Sequence, residues 1–497
     1  MSSLAYATPS IIQGGMGIGV SSWNLARAVA LRGQLGVVSG TAIDSLFVRR
    51  LQDGDIGGHV RRAMEHFPIP AVSAAALKAY FLPDGREDDA PYKLLPMWRQ
   101  VVTQAREQVT MLASFVEVFL AKEGHDGVVG VNLLTKVQMP NLATLYGAML
   151  AGVDYVIMGA GIPREIPAVL DAFAEGRTAS MKFDVEGMQR GESESLTFDP
   201  ARHWEDEAPE LYRPRFLPVV AAHSLATVLA RKATGRIDGF VVEGPTAGGH
   251  NAPPRGGTVI NDRGEPIYGD RDIVDLGVMR DLGLPFWLAG GTGSPEGLQA
   301  ALDAGAAGIQ VGTLFAYTEE SGIAPDIKRQ VVAQVRVGAT DVVTDARASP
   351  TGFPFKVVGL KGTNSEADQY EKRERVCDLG YLRNAYRRED GRIGYRCAAE
   401  PVDTFLKKEG DAGETAGRKC LCNGLMANIG HAQVRDGEAE RALLTSGDDL
   451  MRMQNFLGDR DSYSADDVID YLLGIQSSES CVVRSGVPAS AWTPAEV

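Results

Sequence analysis

The chain has few cysteines, no long apolar run and no cluster of basic side chains. Five cysteines among 497 residues cannot form the dense disulfide framework of a small secreted protein, so we expect a reducing, cytoplasmic location. No window reaches the roughly 18 consecutive apolar residues of a membrane-spanning helix. The first residues also lack the basic and apolar stretches of a signal peptide, so we expect neither a membrane segment nor a leader.

Positive charge is scarce relative to negative charge. The 64 acidic and 50 basic side chains give a formal net charge of −14. Such a surface repels phosphate backbones and anionic membranes, so we expect a small-molecule ligand and no nucleic-acid or membrane partner. The hydrophobic share of 44% and the charged share of 23% are those of an ordinary globular protein. A chain of this length can hold one large domain and an appendage.

Glycine, by contrast, is abundant, with 57 residues, and it separates a series of short apolar runs. Eight runs are apolar at almost every position, which is typical of parallel strands buried on both faces. They occupy residues 10–16, 35–40, 127–134, 154–160, 216–222, 239–244, 285–291 and 307–312. Segments with helical spacing lie between most of them, at 23–31, 140–150, 163–173, 224–233, 272–282 and 295–304.

This alternation predicts an α/β fold, a TIM (β/α)8 barrel over residues 1–320, with an open doubly wound sheet as the alternative. Residues 41–126 interrupt the alternation after the second strand, where we expect a helical insertion with a long helix at 94–122. The polar stretch 176–215 indicates a hairpin or excursion. Residues 321–497 are interpreted as a C-terminal appendage of mixed or helical structure.

Two glycine-rich turns follow the last two predicted strands. Gly290 and Gly291 precede a helix start at Ser294, and Gly312 and Thr313 end the next strand. Glycine lets backbone N–H groups approach a phosphate, and paired phosphate loops at this position recur in barrel enzymes. The two turns therefore indicate a phosphate site, although ordinary turns between strands and helices also favour glycine and threonine.

A histidine follows the sixth predicted strand. His250 comes directly after Gly248 and Gly249, at the barrel end where catalytic groups gather. An imidazole that titrates near neutral pH is suited to take a proton from a carbon acid. His250 is therefore the candidate catalytic residue, and His223, which also follows a predicted strand, is a second candidate for the same pocket.

The first predicted strand runs into a glycine-rich loop whose main chain can lie against a flat ring, with Met16 on the face of that ring. The loop matches the dinucleotide-binding glycine pattern only loosely. Ser39 and Gly40 stand where that pattern requires an acidic residue, which excludes a Rossmann domain.

Taken in order, these segments resemble the nitronate monooxygenase family, formerly called 2-nitropropane dioxygenases, which also includes flavin-dependent enoyl-acyl-carrier-protein reductases. The resemblance covers roughly residues 8–40 and 127–355. It rests on Gln13-Gly14-Gly15-Met16, Gly130-Val131-Asn132, Ala247-Gly248-Gly249-His250, Ala289-Gly290-Gly291, Gly312-Thr313 and Arg347-Ala348-Ser349-Pro350.

The resemblance implies an FMN enzyme on a TIM barrel, with His250 as the active-site histidine. The residues that it assigns to the FMN phosphate are Gly290, Gly291, Gly312 and Thr313. Those that it places near the isoalloxazine ring are Gly14, Gly15, Met16 and Asn132, and Gly249 joins the cofactor-binding set.

The same resemblance implies oxidation of a nitronate or similar carbon acid by dioxygen. The alternative is an NAD(P)H-dependent FMN enoyl-thioester reductase, which would use an acyl carrier protein as partner and in which the 41–126 insertion would shape an acyl channel. A third hypothesis is a flavin-holding carrier or assembly component without turnover. A homo-oligomer is compatible with all three. The inosine-monophosphate dehydrogenase type is excluded, because it needs a cysteine nucleophile in a barrel loop and every cysteine lies at or beyond Cys377.

Four of the five cysteines fall within 46 residues: Cys377, Cys397, Cys420 and Cys422. Four thiolates suit zinc or an iron–sulfur cluster. However, the usual C-x-x-C pairs are missing, and buried free thiols are common. Both interpretations stay open, and no metal ligand is assigned.

Overall fold

The computed structural model describes residues 8–475, and its centre is a sheet of eight parallel strands. All eight predicted strands are present, each of them shorter than predicted. In chain order they are β1 Ile11–Gln13, β2 Gly36–Ser39, β3 Val129–Leu134, β4 Tyr155–Gly159, β5 Arg215–Val220, β6 Phe240–Glu243, β7 Phe286–Ala289 and β8 Gly308–Val311.

The sheet closes into a barrel. Each strand pairs with its neighbour in the order β1-β8-β7-β6-β5-β4-β3-β2, and a parallel bridge between Ile12 and Leu35 joins the two ends. At this seam Gln13 N donates to Leu35 O at 3.0 Å, and Leu35 N donates to Ile11 O at 3.1 Å. The predicted TIM barrel is therefore confirmed, and the open doubly wound sheet is excluded.

Six helices lie between the strands where helical spacing predicts them. They are Trp23–Leu31, Asn141–Leu150, Ile166–Ala174, His223–Lys232, Leu276–Asp281 and Pro295–Asp303. The best-defined start is that of Pro295–Asp303, where the Ser294 hydroxyl accepts a hydrogen bond from Gly297 N at 3.0 Å. Inside the barrel, apolar side chains such as Val37, Leu217 and Trp287 fill the core.

The insertion after β2 is helical, as predicted. Its helices are Ile43–Gln52, His59–Met64, Pro70–Tyr80 and Gln104–Lys122. The predicted helix at 94–122 is wrong in its first part, because the helix begins only at Gln104, after the capping residue Thr103. Pro96 interrupts the predicted helix, since proline lacks the N–H of a helix interior and disfavours helical geometry in the residue before it. The residues after it bond to distant parts of the chain instead: Trp98 Nε1 donates to Asp44, and Gln100 N donates to the Tyr395 hydroxyl.

The polar stretch 176–215 contains a hairpin, which confirms the prediction. Its antiparallel strands are Ala179–Phe183 and Glu194–Phe198. No helix in residues 8–475 combines the length and the apolar character that a membrane crossing requires.

The chain after the barrel is a mixture of helices and short strands. Its helices of six or more residues are Pro325–Arg336, Ala367–Lys372, Val402–Lys407, Leu421–Asn428 and Ala465–Leu472. Val342–Asp345 pairs with Phe355–Val358, and Asn384–Arg387 pairs with Ile393–Arg396. The apolar side chains of this C-terminal segment, residues 321–475, belong to the same hydrophobic cluster as the outer faces of the barrel strands.

A buried carboxylate links the insertion to the C-terminal segment. Asp44 accepts hydrogen bonds from Arg106 Nη2 at 2.7 Å, Trp98 Nε1 at 3.1 Å and Thr110 Oγ1 at 2.8 Å. Tyr381 also donates to Asp44. Burial by itself would raise the pKa of Asp44, but the Arg106 charge and these hydrogen bonds hold that pKa below its usual value.

Candidate active site

A cavity of about 220 Å³ opens at the carboxyl ends of the barrel strands, where barrel enzymes carry their catalytic groups. Loops that follow the barrel strands form its floor. Side chains from the C-terminal segment form its roof, among them Phe355, Leu382, Leu421 and Leu425. The C-terminal segment, which the sequence predicted as an appendage, therefore covers the mouth of the barrel.

The structure brings nine of the ten predicted site residues to this cavity. They are Gly14, Gly15, Met16, Asn132, Gly249, His250, Gly290, Gly312 and Thr313. Gly291 does not line the cavity wall and lies one residue behind Gly290. His223 also lies elsewhere, at a helix start, where its Nδ1 accepts a hydrogen bond from Asp275 N at 3.2 Å.

Gly15 and Asn132 show why glycine is needed in the first loop. Asn132 Nδ2 donates to Gly15 O at 2.8 Å, which holds the loop against β3. A Cβ added at Gly15 would lie 2.1 Å from the Asn132 Cβ, whereas one at Gly14 would meet nothing closer than 3.5 Å. Main chain at Gly15 is therefore packed directly against the asparagine side chain.

The predicted phosphate corner lies between β7 and β8. Gly290 has φ +88°, a conformation that side chains disfavour, and a Cβ there would lie 2.8 Å from Ala247 N. Thr313 Oγ1 accepts a hydrogen bond from Gly447 N at 3.0 Å, so the C-terminal segment reaches this corner. Asp449 lines the same wall, and burial raises the pKa of its carboxyl.

His250 is held by the C-terminal segment. Its Nε2 lies 2.7 Å from the hydroxyl of Ser349, which is fully buried. Its ring packs edge-on against Phe355 at 4.9 Å between centroids. Gly249 O accepts a hydrogen bond from Lys356 N, and Asn251 N donates to Pro354 O, both at 2.9 Å. These contacts fix the loop that carries the imidazole.

Burial, with a smaller contribution from the charge of Lys136, lowers the pKa of His250 to about 4. The imidazole is therefore neutral at physiological pH and can accept a hydrogen bond, but it is a weaker base than the imidazole titrating near neutral pH that was expected from the sequence. Among residues 8–475 no hydrogen bond is formed to its Nδ1, which leaves that nitrogen for a ligand.

Glu243 is a second titratable group in the cavity and was not predicted as a site residue. It ends β6, and burial raises the pKa of its carboxyl to about 8. At neutral pH it is a protonated acid that can donate a hydrogen bond. Its position at a strand end was the signal that could have identified it.

Ser349 was also missed. It lies within the Arg347-Ala348-Ser349-Pro350 motif, but nothing in the sequence indicates that residue 349 meets residue 250. The roof residues were missed for the same reason, since they lie in the part interpreted as an appendage.

Comparisons with known proteins assign the chain to a family. The family model described as nitronate monooxygenase matches residues 172–457, which is more than half of the chain. A probable nitronate monooxygenase from Staphylococcus haemolyticus is 34% identical over 131 residues, 26% of this chain and 32% of that protein. A (3aS,4S,5R,7aS)-5-hydroxy-7a-methyl-1-oxo-octahydro-1H-indene-4-carboxyl-CoA dehydrogenase from Rhodococcus jostii is 29% identical over 147 residues, 30% of this chain and 36% of that protein. The chain thus aligns with about a third of the length of these curated relatives.

Among solved structures, the chain is similar to FabK from Thermotoga maritima, with 17% identity, a TM-score of 0.44, and coverage of 94% of this chain and 93% of that chain. Nitroalkane oxidase from Streptomyces ansochromogenes has 16% identity, the same TM-score of 0.44, and coverage of 94% and 96%. Because the family model covers more than half of the sequence, the chain belongs to the nitronate monooxygenase family, whose members are oxidoreductases.

Proposed function

We propose that this protein is an FMN-dependent oxidoreductase that oxidises a nitronate, or a similar small carbon acid, with dioxygen. The observation that carries the proposal is a neutral imidazole, His250, in one cavity with the glycine-lined corners at the carboxyl ends of β1, β7 and β8. Membership of the nitronate monooxygenase family supports the reaction class.

The cavity wall fits a flavin nucleotide. Gln310 Oε1 and Asn428 Oδ1 are buried in this wall without a hydrogen-bond partner among the described residues. Buried polar atoms are rarely left unpaired in folded proteins, so these two are suited to meet polar groups of a ligand. Gly15 and Gly290 line the cavity with main chain alone, so neither residue places a side chain between the cavity and a ring or a phosphate.

In this proposal the residues divide into three groups. Gly14, Gly15, Met16, Asn132 and Gly249 hold the isoalloxazine ring. Gly290, Gly312 and Thr313 hold the phosphate, with Gly291 behind them, and Asp449 lines the same wall. FMN, when bound, supplies a two-electron acceptor.

His250 is the residue placed to interact with the acidic proton of the substrate. Its neutral ring can accept a hydrogen bond from a carbon acid, or the proton itself if the carbon acid is strongly acidic, at the Nδ1 atom that forms no hydrogen bond among the described residues. Ser349 holds Nε2 and so sets the orientation of the ring. The apolar roof excludes water from this exchange, which strengthens the electrostatic interactions within the site.

The absorbance spectrum of the purified protein and anaerobic mixing test the proposal. We expect a flavin spectrum, bleaching by a nitronate alone, and recovery of the colour when dioxygen is admitted. A colourless protein that does not take up added FMN contradicts the cofactor. A flavin that no nitronate bleaches contradicts the substrate class. If no reductant bleaches it either, the result supports the hypothesis of a flavin-holding carrier or assembly component without turnover.

A second candidate function, the NAD(P)H-dependent enoyl-thioester reductase, is favoured by the apolar roof. Leu382, Leu421, Leu425 and Leu444 line the cavity opposite the glycine loops, and such a surface suits an acyl chain. Rapid bleaching by NADPH, with none by nitronates, would select this function and an acyl carrier protein as its partner. Under either function we propose a small-molecule substrate, no nucleic-acid or membrane partner, and a reducing, cytoplasmic location.

A further inference from the structure

Four cysteine side chains meet at a second, much smaller cavity of about 10 Å³ under the roof. Its lining includes Cys377, Cys397, Cys420 and Cys422, all of them free thiols. They come from three separate stretches of chain, so only the tertiary fold brings them together. In residues 8–475, no group of three or more histidine, cysteine or acidic side chains is arranged to hold a metal ion. The arrangement therefore favours thiol chemistry over a zinc or iron–sulfur centre.

The thiols of Cys377 and Cys397 line this cavity together. The neighbouring Cys397 thiol lowers the pKa of Cys377 against the opposing effects of burial and of the Glu400 and Asp378 charges, and the Arg383 charge lowers it further. The neighbouring Cys377 thiol, with burial, raises the pKa of Cys397 well above its usual value. Cys377 is therefore the more nucleophilic member of the pair, and Cys397 the member that stays protonated.

The thiol cavity and the candidate active site share a wall. Leu382, Leu421 and Cys422 line both cavities. Cys377 itself is only partly buried. A small neutral oxidant formed in the large cavity is therefore separated from the thiols by a single layer of side chains.

We propose that Cys377 and Cys397 are a redox-active pair that hydrogen peroxide oxidises to a disulfide. The Cys377 thiolate attacks one peroxide oxygen, the O–O bond breaks, and hydroxide leaves, which yields a sulfenic acid. The Cys397 sulfur then attacks the Cys377 sulfur, the S–O bond breaks, and water leaves. In balance, two thiols and one peroxide give one disulfide and two waters. The inference rests on the proposed function for its supply of peroxide, because two-electron reduction of dioxygen in the large cavity would produce peroxide there.

The disulfide would act on the active-site wall. It would close the stretch between residues 377 and 397, which carries Tyr381 and Leu382. Both residues line the large cavity, and Tyr381 also donates to Asp44. Oxidation of this pair would therefore restrict the part of the chain that forms the roof.

The test is peptide mapping of the full-length protein after treatment with equimolar hydrogen peroxide and alkylation of the remaining thiols. We expect one disulfide, between Cys377 and Cys397, that dithiothreitol reverses. In Cys397→Ser, dimedone should trap a sulfenic acid on Cys377. Cys422→Ser is the matched control: it alters a thiol in the same cavity and should still give the disulfide.

Three results would overturn the proposal: a disulfide that uses another cysteine, including Cys481; full alkylation of both thiols after peroxide; or bound zinc that must be removed before any thiol reacts. A second arm replaces added peroxide with turnover of the proposed substrate, with and without catalase. Disulfide formation with added peroxide, but none during turnover, supports the pair and counts against the proposed function. Absence of the disulfide in both arms counts against the pair alone.

Discussion

The barrel loops and the C-terminal segment contribute different kinds of atoms to the same cavity. The loops after β1, β7 and β8 present mainly main-chain atoms to the cavity, because glycine occupies the positions at which these loops line it. The C-terminal segment presents side chains, and it also holds the barrel loops in place, as Ser349 does for His250. The comparison teaches that ligand contact and loop positioning are separated in the sequence, with the barrel performing the first and the segment the second.

The largest effect should come from the imidazole itself. His250→Asn should reduce turnover by roughly 10²- to 10⁴-fold, the usual contribution of a positioned acid or base, while bound FMN is retained. The measurement is steady-state kinetics together with the flavin spectrum. His223→Asn is the control, since His223 lies outside the cavity, and it should leave turnover unchanged. Equal losses in both variants would remove His250 from the proposed mechanism.

The junction between the insertion and the C-terminal segment should dominate stability. Arg106→Met leaves Asp44 buried without its ion-pair partner, which should lower the free energy of unfolding by about 3–5 kcal/mol. Denaturant titration followed by circular dichroism measures this. Arg392 pairs with Asp390 at the surface, so Arg392→Met should have no measurable effect. Similar losses for both variants would show that the junction has no special importance.

The first loop sharpens the contrast between main-chain and side-chain contacts. Gly15→Ala must displace Asn132, so we expect FMN to bind more weakly by about 1–3 kcal/mol, the usual cost of overpacking. Gly269→Ala is the control, because Gly269 lies outside the cavity and an added Cβ there would meet nothing within 4 Å. Titration with FMN, followed by flavin fluorescence, measures both variants. If Gly269→Ala weakened binding as much, the close approach at Gly15 would not be the cause.

Glu243 should produce the smallest effect, one that depends on pH. Its pKa is about 8 in the folded protein against 4.5 as the ordinary value. Between these values the folded chain holds a proton that the unfolded chain has lost, so stability should fall as the pH rises through this window. Glu243→Gln removes this titration and should flatten the profile by about 1.4 kcal/mol per pH unit inside this window. Unfolding free energies at pH 6 and pH 7 measure it, with the exposed Glu389→Gln as control. An unchanged pH slope in Glu243→Gln would show that the carboxyl does not titrate in this window.

The sequence predicted the part of the site that the barrel loops form, and it did not predict the part that the C-terminal segment forms. Glycine-rich turns after apolar runs pointed to Gly15, Gly290 and Gly312, because the conformational freedom of glycine is a local property. Ser349 could not be found in this way, although it lies within hydrogen-bond reach of His250. The helix at 94–122 was predicted too long because its apolar spacing continues through Pro96, whereas a helical backbone is interrupted there.

The sequence by itself determined the barrel, its eight strands and the glycine corners. Periodic burial, turn geometry and helix capping depend on neighbours a few positions away, so they can be derived from the order of residues. Only the tertiary structure decided that the C-terminal segment covers the barrel, that Ser349 meets His250 and that Cys377 meets Cys397. These pairs join residues far apart in the chain, and side-chain packing, which no local pattern encodes, brings them into contact.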